Sequence, residues 1–154
     1  MIAFLLKNCA TLSIIGHLPA PGTTATIIII ALLFLLQPLF TCSDTFYLFI
    51  GLFCFISYFV IYYVLQQNIF KNNDPSEIVL DEVVGTLITF AGITLNIKTM
   101  IIGFLLFRFF DIVKPLGIKK LEKLNSALGI IGDDIAAGLI SALLLRIIIF
   151  YVLS

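Results

Sequence analysis

Carboxylates are concentrated in two short stretches of this chain, with a spacing that suits the binding of a cation. In "DPSEIVLDEVVG", residues 74–85, Glu77 and Asp81 are four residues apart and share one face of a predicted helix, with Glu82 beside them. Like charges at this spacing repel each other, so the arrangement is destabilising unless a cation compensates it. Carboxylate oxygens are ligands that Mg²⁺ prefers, and water or substrate phosphate completes its coordination. This stretch therefore predicts half of a divalent-metal site.

Part of the same stretch also has a purely structural interpretation. Asp74 is a good N-cap residue, Pro75 suits the first helical position, and Glu77 follows at the third. This is the form of a capping box, and it explains the first acid without any function. It does not explain Asp81 and Glu82, which come after the helix start that the pattern predicts.

The second acidic stretch is "GDDIAAG", residues 132–138, in which Asp133 and Asp134 are adjacent. We expect these two acids to open a membrane helix, where the helix dipole favours negative charge. An acidic N-cap is the structural alternative. Gly138 lies one turn beyond Asp134 on the same face, so another backbone can come close beside the carboxylate. The stretch repeats the pattern of the first one, an acid followed one turn later by glycine.

Basic groups are available near these acids. In "FRFFDIVKP", Arg108, Asp111 and Lys114 follow one another at intervals of three residues, before Pro115 stops the helix. A guanidinium binds carboxylate or phosphate through two hydrogen bonds, whereas lysine acts as a point charge. An internal ion pair between Arg108 and Asp111 is the structural alternative.

A third element could bind an anion through its backbone. "LPAPGTTA" predicts a helix start near Thr23, and the free N–H groups at such a start bind anions well. Taken together, paired carboxylates for Mg²⁺ and cations for phosphate are the equipment of phosphoryl transfer. The residues alone therefore indicate metal-assisted chemistry on a phosphate ester.

The elements that must position these residues are membrane helices. The chain is 61% hydrophobic, only 12% charged and has a mean hydropathy of +1.19, which leaves too little polar surface for a soluble domain. We predict an all-α integral membrane bundle, one domain over residues 1–154, with about five membrane-embedded helices. Three are full spans and two are shorter and partly charged: Thr23–Phe40, Thr45–Leu65 and Asp134–Leu153, then Glu77–Ile93 and Thr99–Val113.

Five passes bring the polar clusters to one side of the membrane. Most basic residues fall on that side: Lys7, Lys71, Arg108, Lys114, Lys119, Lys120 and Lys123. Lys98 lies at the other end and Arg146 inside the last span. Basic residues mark the cytoplasmic face, so the N-terminus and the candidate site are predicted to face the cytoplasm. Nine basic and nine acidic residues give zero net charge, which argues against a nucleic-acid partner.

The motifs resemble those of the phosphatidylglycerophosphatase A family. "PGT", "DPSEIVLDEVVG", "FRFFDIVKP" and "GDDIAAG" occur in the family's order over about residues 19–138. The resemblance implies a multi-pass phosphatase of the bacterial inner membrane. It would use Mg²⁺ to hydrolyse the terminal phosphate of phosphatidylglycerophosphate, a bilayer phospholipid, giving phosphatidylglycerol. The chain departs from the family at Ala25-Thr26 and at Gly117, where the family often has Gly-Ser and Pro.

On this basis each site residue has an expected role. The expected metal ligands are Glu77, Asp81, Asp111 and Asp134; the catalytic acids are Asp81, Glu82, Asp133 and Asp134; and the phosphate contacts are Thr23, Arg108 and Lys114. Direct attack by water and an aspartyl-phosphate intermediate both fit this pattern. The absence of a Cys-x5-Arg loop and the single histidine disfavour cysteine and histidine phosphatase mechanisms.

The alternative from another functional class is a small transporter or proton-relay protein. Intramembrane carboxylates with a buried arginine are typical of such proteins, and Arg146 fits that description. This alternative predicts charges distributed along the depth of the membrane. Most charges of this chain lie instead near one predicted surface, which favours an active site there.

Overall fold

The described part of the chain is built from helices, as predicted. The structure is a computed structural model that describes residues 2–39, 43–67, 70, 75–124 and 127–153. The α-helices are α1 (Ile2–Ala10), α2 (Pro21–Leu36), α3 (Ser43–Gln66), α4 (Leu80–Thr89), α5 (Ile97–Val113) and α6 (Ala127–Ile148). Short 3₁₀ segments cover Ile15–His17, Gln37–Leu39 and Ile118–Lys123, and a π-helical turn, Ile149–Leu153, extends α6.

Two helices are long and apolar enough to cross a bilayer, namely Asp44–Gln66 in α3 and Ala127–Val152 in α6 and its extension. Only about a quarter of each is buried inside the chain, so their apolar side chains face outwards, where lipid can cover them. Helix α2 has 16 residues and is about 24 Å long, shorter than the third full span expected from the sequence. The embedding of α2, α4 and α5 stays a prediction.

Helix α4 begins at Leu80, three residues later than predicted. The preceding residues are held in an irregular segment, because the Val79 N–H donates to the carbonyl oxygen of Ala10 at 3.0 Å and Ile78 is buried. Glu77 therefore lies in a turn before the helix and does not share a helix face with Asp81. The predicted cap residue, Asp74, lies outside the described residues.

Helix α6 begins at Ala127, seven residues earlier than predicted. Ala127, Ile130 and Ile131 are buried in an apolar cluster with side chains of α3 and α4, and this burial carries the helix upstream of the acids. Asp133 and Asp134 consequently lie in its second turn and are both buried. The expectation that they open the helix and gain from its dipole was wrong.

The segment after α5 forms a tight turn followed by a 3₁₀ helix. Lys114, Leu116 and Gly117 all have positive φ, which reverses the chain direction. The following 3₁₀ helix, Ile118–Lys123, packs on α6. Ile118 anchors it, since this side chain is buried in a cluster with aromatic residues of α5. The turn thus keeps the end of α5 beside α6.

Candidate active site

A polar cavity of about 240 Å³ lies where the first turns of α2 and α4, the end of α5 and the second turn of α6 meet. It collects seven of the nine site residues predicted from the sequence: Asp81, Glu82, Arg108, Asp111, Lys114, Asp133 and Asp134. Thr23 and Glu77 do not line it. The predicted convergence of the acidic and basic motifs at one end of the bundle is therefore confirmed.

Three carboxylates form the centre of this cavity. Asp81, Glu82 and Asp134 each offer one oxygen, and these oxygens all lie within 4.8 Å of one another. Asp81 is only 8% exposed and Asp134 only 4%. Each of the three also has a buried oxygen without a hydrogen-bond partner among the described residues. Buried polar atoms are normally paired, so these oxygens fit a ligand that supplies positive charge.

The electrostatics of α4 agree with this fit. Burial raises the pKa of Asp81 well above its usual range, and repulsion by Glu82 and Asp134 adds to the shift. Burial likewise raises the pKa of Glu82. Several ionised carboxylates at this distance repel each other strongly in a medium of low dielectric. A bound divalent cation would reverse that balance, and oxygen ligands in this number suit Mg²⁺.

Two glycines bring the acidic helices together. A Cβ added at Gly138 of α6 would lie 2.5 Å from the carbonyl oxygen of Gly85 in α4, and one added at Gly85 would lie 2.8 Å from that of Asp134. The two backbones are therefore in direct contact one turn beyond the acids. This confirms the close approach expected from the repeated pattern of acid and glycine, and it explains how α4 and α6 share one carboxylate cluster.

The remaining two acids of the cavity are engaged by cations. Arg108 Nη1 contacts Asp111 Oδ2 at 2.5 Å. This is the internal ion pair that the sequence offered as the structural alternative for these residues. Lys114 Nζ forms an ion pair with Asp133, whose other oxygen accepts the N–H of Asp134 at 3.0 Å. Arg108 Nε is buried and has no partner among the described residues, so the guanidinium keeps a donor for a further anion.

The start of α2 closes one side of the cavity. A Cβ at Gly22 would overlap the Glu82 carboxylate and come within 3.2 Å of Arg108 Nη1, so a larger residue there would displace these two side chains. Thr23 was expected to contact the phosphate, but the neighbouring Gly22 of the "PGT" motif lines the cavity instead. Ser76, to which no role was assigned, lines the cavity from the turn before α4.

Comparison with known proteins agrees with this geometry. Residues 8–149 match the family described as phosphatidylglycerophosphatase A. The chain belongs to this family. Membership makes the chain a phosphatase, and it supports the enzyme interpretation over the transporter alternative.

Two curated proteins are similar to this chain. A protein of Bacteroides thetaiotaomicron, provisionally named a phosphatidylinositol-3-phosphatase, is 38% identical over 135 residues, which are 83% of this chain and 82% of that protein. A phosphatidylglycerophosphatase A of Haemophilus influenzae is 39% identical over 83 residues, covering 53% of this chain and 51% of its own length. No solved structure matches the chain.

Proposed function

We propose that this chain hydrolyses the terminal phosphomonoester of phosphatidylglycerophosphate, in a Mg²⁺-dependent reaction at the cytoplasmic face of a bacterial inner membrane. The observation that carries the proposal is the group of three buried carboxylates with unpartnered oxygens, Asp81, Glu82 and Asp134. The family and its Haemophilus member supply the reaction and the substrate.

The three carboxylates hold the metal ion in this proposal. When bound, Mg²⁺ would neutralise charge on the phosphate and so favour attack at phosphorus. Arg108 binds the phosphate oxygens through the donors that its pair with Asp111 leaves unused. Asp111 is thus a positioning residue for the guanidinium. It is not one of the three carboxylates of the metal group.

The roles of the two adjacent acids differ. Asp133 accepts from Lys114 with one oxygen and from the Asp134 backbone with the other, so both its oxygens are occupied. It holds the lysine ammonium at the cavity, where the lysine attracts the substrate phosphate. In this proposal the proton of an attacking water passes to a carboxylate of the metal group.

Orientation follows from the positions of the basic residues. Arg108, Lys114, Lys119 and Lys120 lie at the cavity end, whereas Lys98 lies in the first turn of α5 at the other end. By the positive-inside rule the cavity faces the cytoplasm. A cysteine introduced at the exposed Ser76 should then react with an impermeant thiol reagent in inverted membrane vesicles but not in intact spheroplasts.

The decisive assay uses purified protein in neutral detergent micelles that contain phosphatidylglycerophosphate. We expect free phosphate and phosphatidylglycerol with Mg²⁺, and loss of both products with EDTA. Turnover that persists in EDTA would refute the metal requirement. No phosphate release under any condition would refute the substrate.

Phosphatidylinositol 3-phosphate is a second candidate substrate. The relative that carries that provisional name aligns with 83% of this chain, whereas the Haemophilus protein aligns with 53%. The same micelle assay with each lipid in turn, at equal mole fraction, ranks the two by kcat/KM. A higher kcat/KM for phosphatidylglycerophosphate supports the first substrate, and a higher kcat/KM for phosphatidylinositol 3-phosphate supports the second.

A further inference from the structure

A second polar cavity of about 520 Å³ adjoins the active-site cavity. Its walls are Asp111, Ile112, Val113, Lys114 and Lys119, and two of these, Asp111 and Lys114, also line the active site. A molecule that places one group among the carboxylates can therefore place a neighbouring group in the second cavity. None of the roles assigned above uses this space.

The turn after α5 builds the outer wall of this cavity. Positive φ angles at Lys114, Leu116 and Gly117 fold the chain back towards the helix that it has just left. The buried Ile118 then fixes the 3₁₀ helix, and Lys119 follows it directly. The backbone of this lysine is consequently placed beside the active site by the packing of its neighbour Ile118.

The chemistry of the walls fits one part of a phospholipid. Lys119 is exposed, and no ion pair is found for it among the described residues, so its ammonium is available to an anion. The apolar wall residues are turned outwards, with Ile112 66% and Val113 56% exposed. A cation beside outward-facing apolar side chains matches a lipid phosphodiester whose acyl chains continue into the bilayer.

We propose that the cavity beside Lys119 binds the phosphodiester of the substrate while the phosphomonoester occupies the carboxylate site. This inference rests on the proposed function and extends it to the substrate class. In both candidate lipids, the carbons that carry the two phosphates are separated by a single carbon. One arrangement of two adjoining anion sites therefore serves either lipid, and it selects lipids that carry two phosphates at this spacing.

The test compares Lys119→Ala with Lys120→Ala, which changes a second exposed lysine on the same 3₁₀ helix that does not line the cavity. In neutral detergent micelles, Lys119→Ala should raise the apparent KM for phosphatidylglycerophosphate about tenfold, the usual order for loss of one charged contact, while kcat stays within about twofold. Lys119→Arg should restore the KM, and Lys120→Ala should match the unmodified protein. Equal effects of the two alanine variants, or a fall in kcat without a change in KM, would overturn the proposal.

A second measurement tests the spacing of the two phosphates. Phosphatidylinositol 3-phosphate and phosphatidylinositol 4-phosphate have the same charge and acyl chains, but the monoester of the latter is one carbon further from the phosphodiester. We expect kcat/KM to be about tenfold or more lower for the 4-phosphate, and equal values would contradict the paired sites. If neither inositol lipid nor phosphatidylglycerophosphate is hydrolysed, the proposed function fails. If any is hydrolysed but Lys119 is without effect, only the subsite fails.

Discussion

The two ends of α6 carry charges of opposite sign that differ in their hydrogen bonding. At one end the Asp134 carboxylate is buried with an oxygen that has no partner among the described residues. At the other end Arg146 donates to the carbonyl oxygens of Ala91 at 2.6 Å and Ala142 at 3.2 Å. Both charges lie in a helix long and apolar enough to cross a membrane.

This contrast distinguishes a charge that is paired within the fold from acids that are proposed to bind a ligand. Ala91 follows the end of α4, so Arg146 ties α6 to α4 far from the cavity, and the Gly85–Gly138 contact joins the same helices nearer to it. Arg146, which fitted a proton relay in the sequence, thus has backbone carbonyl oxygens as hydrogen-bond acceptors. Asp81, Glu82 and Asp134 each keep a buried oxygen without a partner among the described residues, as expected of groups that bind a ligand.

The largest effect should come from removing charge at the reactive end. Asp81→Asn or Asp134→Asn should lower kcat/KM about a thousandfold or more, because each removes a ligand from the group proposed to hold Mg²⁺. Phosphate release from phosphatidylglycerophosphate at saturating Mg²⁺ measures this. Unfolding temperature in detergent without metal should stay equal or rise, since an amide relieves repulsion among the acids.

Asp44→Asn is the matched control for that pair. Asp44 is an exposed acid in the first turn of α3, outside the cavity, and its loss should change activity by less than about twofold. Near-normal activity of either cavity variant would remove that residue from the site. Loss of activity in Asp44→Asn would show that acidity in general, and not this cluster, matters.

The helix contact beside the acids should give the next largest effect. Gly138→Ala places a Cβ 2.5 Å from the Gly85 carbonyl oxygen and must push α4 and α6 apart. We expect a loss of about 1–3 kcal/mol in the free energy of unfolding, from overpacking, and a fall in kcat/KM of about tenfold to a hundredfold from displaced carboxylates. Denaturation in detergent measures the change in the free energy of unfolding, and the phosphate assay measures the change in kcat/KM.

Gly132→Ala is the control on the same helix, because a Cβ there meets nothing within 4 Å. That variant should keep its activity and gain about 0.5–1 kcal/mol, since alanine is the better helix former. If Gly138→Ala also behaves in this way, the close contact between the helices is not needed to assemble the acids.

The sequence predicted which residues meet at the cavity better than it predicted the helices that carry them. The acidic and basic motifs could be recognised because charged residues make up only 12% of this apolar chain. The starts of α4 and α6 could not, because distant contacts decide them. The bond from Val79 to Ala10 delays α4, and burial of Ile130 against other helices advances α6.

The same limit applies to the partners of individual charges. Periodicity placed Arg108 and Asp111 on one helix face, and their ion pair is present. No local pattern indicates that Lys114 pairs with Asp133, which is distant in sequence, or that a positive φ at Lys114 aims the chain towards α6. Tertiary packing supplies that information, and it decides which acids remain for a metal ion.

A smaller effect is expected at the structural end of α6. Arg146→Met keeps the length of the side chain and removes its hydrogen bonds to Ala91 and Ala142. The free energy of unfolding should fall by about 1–2 kcal/mol, and kcat at saturating substrate should change less than about threefold. Thermal unfolding in detergent beside the phosphate assay tests both. Lost activity with unchanged stability would instead show that Arg146 takes part in the reaction.

The smallest effect should come from Glu77, the acid that the sequence placed in the metal site and the structure places in a turn outside the cavity. Its backbone carbonyl, and not its carboxylate, makes the close contact, because a Cβ at Gly16 would overlap that oxygen. Glu77→Gln should therefore shift the Mg²⁺ concentration for half-maximal activity by less than about threefold. Gly16→Ala, which displaces the backbone of the turn, should shift it more. A tenfold shift in Glu77→Gln would show that the carboxylate reaches the metal, as the helical spacing from Glu77 to Asp81 predicted, and that the cluster has a fourth ligand.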